Sequence, residues 1–102
     1  MALIDDIKVT LRLRGSAYDS EVNMLISAAL ADMRRVGIRE SLLDQDNMAA
    51  LPKQAVAMYV KSRFGYDNDE AARFDEAYRQ TVIDLLNSSA NSTYKEGTED
   101  AI

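Results

Sequence analysis

Residues 51–68 read LPKQAVAMYVKSRFGYDN. Within them Ala55-Val56-Ala57-Met58-Tyr59-Val60 is apolar without a break, and on a helical wheel only a narrow strip through Gln54 and Lys61 is clearly polar. A helix apolar around most of its circumference belongs at the centre of a small domain, with other helices on several sides. Pro52 suits a first helical turn, where its missing N–H has no partner to lose. Gly65 suits the position just past the end, where a left-handed backbone is needed. The stretch predicts a central helix over 52–65.

Moving outward toward the N-terminus, Asp19 or Ser20 can cap a helix in which Val22, Leu25, Ile26, Ala29, Leu30, Met33 and Val36 form a stripe at helical spacing. Gly37 stops it, with Arg34 and Arg35 placed where cations suit the helix dipole. The opposite side of this helix carries Met24, Ala28 and Ala31, a weaker apolar strip ending at Arg35. Tolerated surface alanine accounts for such a strip; contact with a neighbouring subunit is the sharper reading.

Residues 3–14 read two ways. Ile7, Val9, Leu11 and Leu13 alternate with polar residues as in a strand, whereas Ile4, Ile7 and Leu11 share one helical face. No second convincing strand is available for pairing, and a lone strand leaves its backbone groups unsatisfied, so a short helix is expected. Residues 38–51 lack a sustained period and predict a compact loop with some helical turns, in which Leu42, Leu43 and Met48 fold back on the core.

On the C-terminal side, Asp67 or Asn68 can cap a last helix presenting Ala71, Phe74, Tyr78, Val82, Leu85 and Leu86 on one face, with Thr81 at its edge. The tail, SSANSTYKEGTEDAI over 88–102, is too polar to bury itself, and disorder in the free monomer is expected. Tyr94 and Ile102 are its only sizeable hydrophobes and so its candidate anchors on a partner. The whole is an all-α bundle of about four helices, over 3–13, 19–36, 52–65 and 68–87, followed by a flexible tail.

The chemistry of the sequence is notable for what it omits. Across 102 residues there is no Cys and no His, which removes disulfides, thiolate metal sites, the cysteine nucleophile and the commonest general base. A net charge of −5, with Lys and Arg scattered, argues against a simple nucleic-acid binder. No apolar run is long enough to span a membrane, and MALIDDIK is wrong for a secretory signal. Asp67-Asn68-Asp69 begins like a calcium loop, but Ala72 and Tyr78 stand where that loop needs glycine and a bidentate Glu. Asp44-Gln45-Asp46 fails the same way, at Ala49 and Ala55. The four glycines are too dispersed for a phosphate loop, and the glycosylation patterns at Asn87 and Asn91 carry no weight without a secretory signal. The aromatics Tyr59, Phe64, Tyr66 and Phe74 are spaced as helix packing rather than as a base-stacking surface. No catalytic residue, cofactor or metal ligand is expected.

Three blocks carry a resemblance spanning residues 3–87. They are Leu3-Ile4-Asp5-Asp6-Ile7-Lys8 with Leu11-Arg12; Asp19-Ser20-Glu21-Val22 leading to Leu25-Ile26 and Ala28-Ala29; and Ala55 to Asn68 followed by Arg73-Phe74 and Ala77-Tyr78. Together the chain resembles the small head–tail connector, or adaptor, proteins of long-tailed bacteriophages and prophages. The resemblance favours helix for the first block. It implies a non-enzymatic subunit made in the bacterial host cytoplasm and placed in the virion neck. It further implies a head-to-tail ring of about a dozen copies below the portal protein, extending the DNA channel and meeting further neck or tail-completion proteins. DNA would pass without sequence-specific binding, and no membrane is involved. On this basis Met24, Ala28, Ala31 and Arg35 are candidate subunit-interface residues, and Tyr94 and Ile102 candidate portal or neck contacts. The competing readings are a small helical regulator or accessory DNA-binding domain with Arg34, Arg35 and Arg39 as its basic end and, more remotely, a carboxylate hydrolase.

Overall fold

The computed structural model describes residues 3–65 and 69–87, and its first element answers the N-terminal ambiguity in favour of helix. Helix α1 spans Leu3–Leu11; Leu3 and Ile7 are fully buried while Val9 is 75% exposed. A strand would have put Ile7 and Val9 on the same face. The helix stops two residues earlier than the sequence suggested. Arg12 turns into the left-handed region at φ 61°, its N–H bonds to the Val9 carbonyl, and the Leu13 N–H reaches the Lys8 carbonyl. That pair of bonds is a Schellman motif, built here on an arginine where glycine is usual.

Helix α2 spans Asp19–Arg35 and buries Val22, Ile26, Ala29, Leu30 and Met33. Its end is the Schellman stop predicted at Gly37, which sits at φ 107°. The Gly37 N–H bonds to the Arg34 carbonyl and the Ile38 N–H to the Met33 carbonyl, while buried Ile38 and Met33 supply the accompanying apolar residues. Its start departs from expectation. Tyr18 occupies the cap position and no side chain caps the helix. Asp19 instead lies in the first turn, where its carboxylate pairs with Lys8 of α1 at 2.8 Å.

The 38–51 segment folds back as expected. A 3-10 turn at Glu40–Leu43 buries Leu43, and Met48 closes over the core. Asp44 organises the connection by accepting the Asp46 N–H at 3.0 Å.

Helix α3 spans Ala50–Arg63 and is central, packing on α1, α2 and α4. It begins two residues ahead of Pro52, which is still inside the first turn, where a missing N–H costs nothing. Ala55, Val56 and Val60 are completely buried, each valine worth about 1.5–3 kcal/mol of apolar burial. Phe64 ends the helix in an extended conformation and Gly65 follows at φ 87°. The Phe64 ring meets Tyr18 edge-on at 5.6 Å, tying the end of α3 to the start of α2.

Helix α4 spans Ala71–Leu86 and packs most extensively on α3. Tyr78, Thr81, Val82 and Leu85 are buried, so Thr81 lies inside the packed face rather than at its edge. Its hydroxyl is satisfied by donating to the Ala77 carbonyl at 2.8 Å. The helix starts at Ala71 rather than 68, with Glu70 at the cap position making no side-chain capping bond and pairing with Arg73 instead. The caps expected from Asp67 or Asn68, and the disorder expected of 88–102, lie outside the described residues. Among the described residues there is no strand.

Candidate assembly surfaces

The most connected polar site joins three helices at one end of the bundle. Asp32 of α2 accepts a hydrogen bond from the Tyr78 hydroxyl of α4 at 2.6 Å and one from Arg35 Nη2 at 2.7 Å. Tyr78 meets Tyr59 of α3 edge-on, with ring centroids 5.1 Å apart. The Arg63 guanidinium lies 3.8 Å above the Tyr59 ring and 3.4 Å from Asp75, which also takes Arg79 Nε at 2.9 Å. Burial drives the Tyr78 phenol upward, and its bond to the Asp32 carboxylate adds to the effect, so it stays protonated as a donor throughout the ordinary pH range. Burial alone would raise Asp32, but the bonds from Tyr78 and Arg35 outweigh it and hold the carboxyl below its usual range. Arg79 holds Asp75 low in the same way.

Beside this network lies a cleft of about 440 Å³ between α2 and α4. Arg35, Arg63 and Arg79 supply its charge, and Val36, Val82, Ile83 and Leu86 its apolar side. Ile83 is 49% exposed at the rim. From the sequence Tyr78 and Tyr59 read only as core, and Asp32 carries no signal of its own. A tyrosine on a buried face was the available signal, because its hydroxyl needs a partner when the ring is covered.

The expected subunit-contact strip on α2 is accessible. Met24 is 66% exposed, Ala31 is exposed and Ala28 is half-buried. Arg35 sits at the end of the strip, exposed but paired with Asp32, and belongs also to the cleft. Tyr94 and Ile102 lie outside the described residues. The basic end is neutralised at two of its positions: Arg34 grips Glu40 through two bonds of 2.7 and 2.9 Å, and Arg35 holds Asp32. A second recess of about 420 Å³ between α1 and α3 is bridged by Lys53 and Asp6 at 2.7 Å. Among the described residues no group of three or more His, Cys, Asp or Glu is arranged to hold a metal ion, and no helix is long and apolar enough to cross a membrane.

These features define a small all-α domain with both charged and apolar side chains on its accessible faces. A family model described as phage connector protein matches residues 3–92, and the chain belongs to that family of head–tail connector proteins. Comparison with curated proteins and with solved structures found no match.

Proposed function

We propose that this protein is a structural subunit of the virion neck, forming a closed ring below the portal that extends the DNA channel and joins head to tail. The observation that carries this reading is the family match over residues 3–92. The geometry supports it in one specific way. A cyclic ring needs two unlike patches on each subunit, because its contacts are heterologous. The α2 strip of Met24, Ala28 and Ala31, ending at Arg35, offers one face, and Val9 and Leu51, exposed on other helices, offer unlike surfaces for the other side.

In this reading residues 1–87 are the ring-forming domain, and residues 88–102 carry Tyr94 and Ile102 to the portal or the next neck component. Assembly takes place in the host cytoplasm, the chain performs no catalysis, and DNA passes without base-specific contact. The net charge of −5 suits a channel wall that does not trap phosphates. The regulator reading loses support because Arg34 and Arg35 already answer carboxylates. Electron microscopy of the full chain at raised concentration, with and without its portal, tests the proposal: rings are expected in at least the portal-containing sample. A gel shift at low salt tests the alternative; DNA retention falling steeply with salt would favour the regulator.

A further inference from the structure

We infer that the two ends of α3 carry complementary surfaces through which one copy of this chain meets the next, with Arg12 and Arg14 of one copy against Asp5 and Asp46 of another. The inference rests on the ring reading and adds which ends of the subunit touch. Asp6 of α1 bridges to Lys53 in the first turn of α3, while Thr10, Leu11 and Arg12 share a recess with Lys61 and Phe64 at its far end. The two helices therefore run side by side in the same direction. The 14 residues of α3 set its ends about 20 Å apart.

The far end is basic. Arg12 and Arg14 are exposed, and their side chains make no ion pair or hydrogen bond among the described residues. The other described cations are engaged, most of them with carboxylates. Apolar side chains accompany the two arginines. Tyr18 is 52% exposed and meets Phe64 edge-on, and Leu11, Phe64 and Phe74 line the recess, a space of about 330 Å³.

The near end is acidic. Asp5 on the first turn of α1 and Asp46 in the turn leading into α3 are exposed, and their carboxylates make no ion pair or hydrogen bond among the described residues. On the first turn of α3, Leu51 is 42% exposed. One end thus offers an apolar anchor with acids around it, and the other an apolar recess with cations around it. A contact of that kind seats Leu51 at the recess and sets the register by charge. The two patches are unlike and lie at opposite ends, so the contact is heterologous and repeats from copy to copy, as a closed ring requires.

Charge reversal at either end tests this in the full chain mixed with its portal. Arg12→Glu with Arg14→Glu, and separately Asp5→Lys with Asp46→Lys, are expected to stay close to the unfolding midpoint of the unmodified chain and to form severalfold fewer rings, counted by electron microscopy. The chain carrying all four reversals is expected to recover them, since every contact again pairs opposite signs. Normal ring yield from either two-site variant overturns the inference and leaves the ring reading intact. Failure of the four-site chain to recover assigns the charges to another partner and overturns it too. An unmodified chain that forms no rings overturns both readings. A second measurement stands even where a reversal lowers the midpoint. The chain has no cysteine, so Ser16→Cys and Ala49→Cys place one thiol near each patch without touching its charges. A bis-maleimide much shorter than α3 cannot join the two ends of one chain. The chain with both thiols is expected to give a cross-linked ladder beyond dimers, and either thiol alone almost no dimer. A product that stops at dimers, or one as abundant from a single thiol, overturns the head-to-tail contact.

Discussion

At the scale of single residues, two positions decide more than their size suggests. Tyr78 donates to Asp32 across 46 positions of sequence, joining α4 to α2. Tyr78→Phe is expected to lower stability by about 1–2 kcal/mol in urea denaturation, the cost of leaving a half-buried carboxylate with one donor fewer. Asp32 also makes the protein acid-sensitive. Its folded-state pKa is depressed, so its contribution is complete above the unfolded value of about 3.9 and is lost as pH falls through the lower folded value. Asp32→Asn is therefore expected to flatten the stability profile on the acid side of about pH 4, read by denaturation across pH. Arg12 is the second position. Its left-handed backbone is strained for any side chain, so Arg12→Gly is expected to raise stability by about 0.5–1 kcal/mol despite glycine's freer unfolded state. The glycines at 37 and 65 were legible as helix stops because their residue type announces the conformation. Arg12 was not, since nothing in an arginine signals a positive φ. The Asp32–Tyr78 bond was illegible for another reason: periodicity reports which face is buried, not which polar tips meet across helices.

At the scale of elements, α1 is the instructive case. Its alternation suits a strand, and only the want of a pairing partner and the family resemblance pointed to helix. The helical face then predicts opposite fates for near neighbours. Ile7→Ala is expected to cost about 2–5 kcal/mol, whereas Val9→Ala is expected to stay within about 0.5 kcal/mol, both by thermal or chemical unfolding. Equal losses at the two positions would mean a shared face and would contradict the helix. The central helix was read correctly from Ala55, Val56 and Val60, because a nearly all-round apolar surface admits little else in a small domain. Helix starts were read less well. Asp19 left its expected capping role for an ion pair with Lys8, a contact that exists only once α1 and α2 are packed. Glu70, which stands at the cap position of α4, pairs with Arg73 and makes no side-chain capping bond. Capping residues are recognisable by type, but tertiary partners compete for the same oxygens.

At the scale of the whole molecule, the fold and the family were legible together, since the blocks that carry the resemblance are largely the scaffold itself. Val56, Val60 and the Phe64-Gly65 stop keep four helices in register. The surfaces that would serve assembly are less marked in the sequence: Met24 is one methionine among five, and the cleft is assembled from three helices. A substitution at an exposed position separates assembly from folding. Met24→Asp is expected to leave the unfolding midpoint nearly unchanged and to reduce ring formation on the portal severalfold, measured by sedimentation beside the unmodified chain. The most direct test of the ring itself is native mass spectrometry of the full chain, alone and mixed with its portal. The account predicts one dominant closed stoichiometry of about a dozen connector chains, at least on the portal. A chain that remains strictly monomeric in both samples would contradict it.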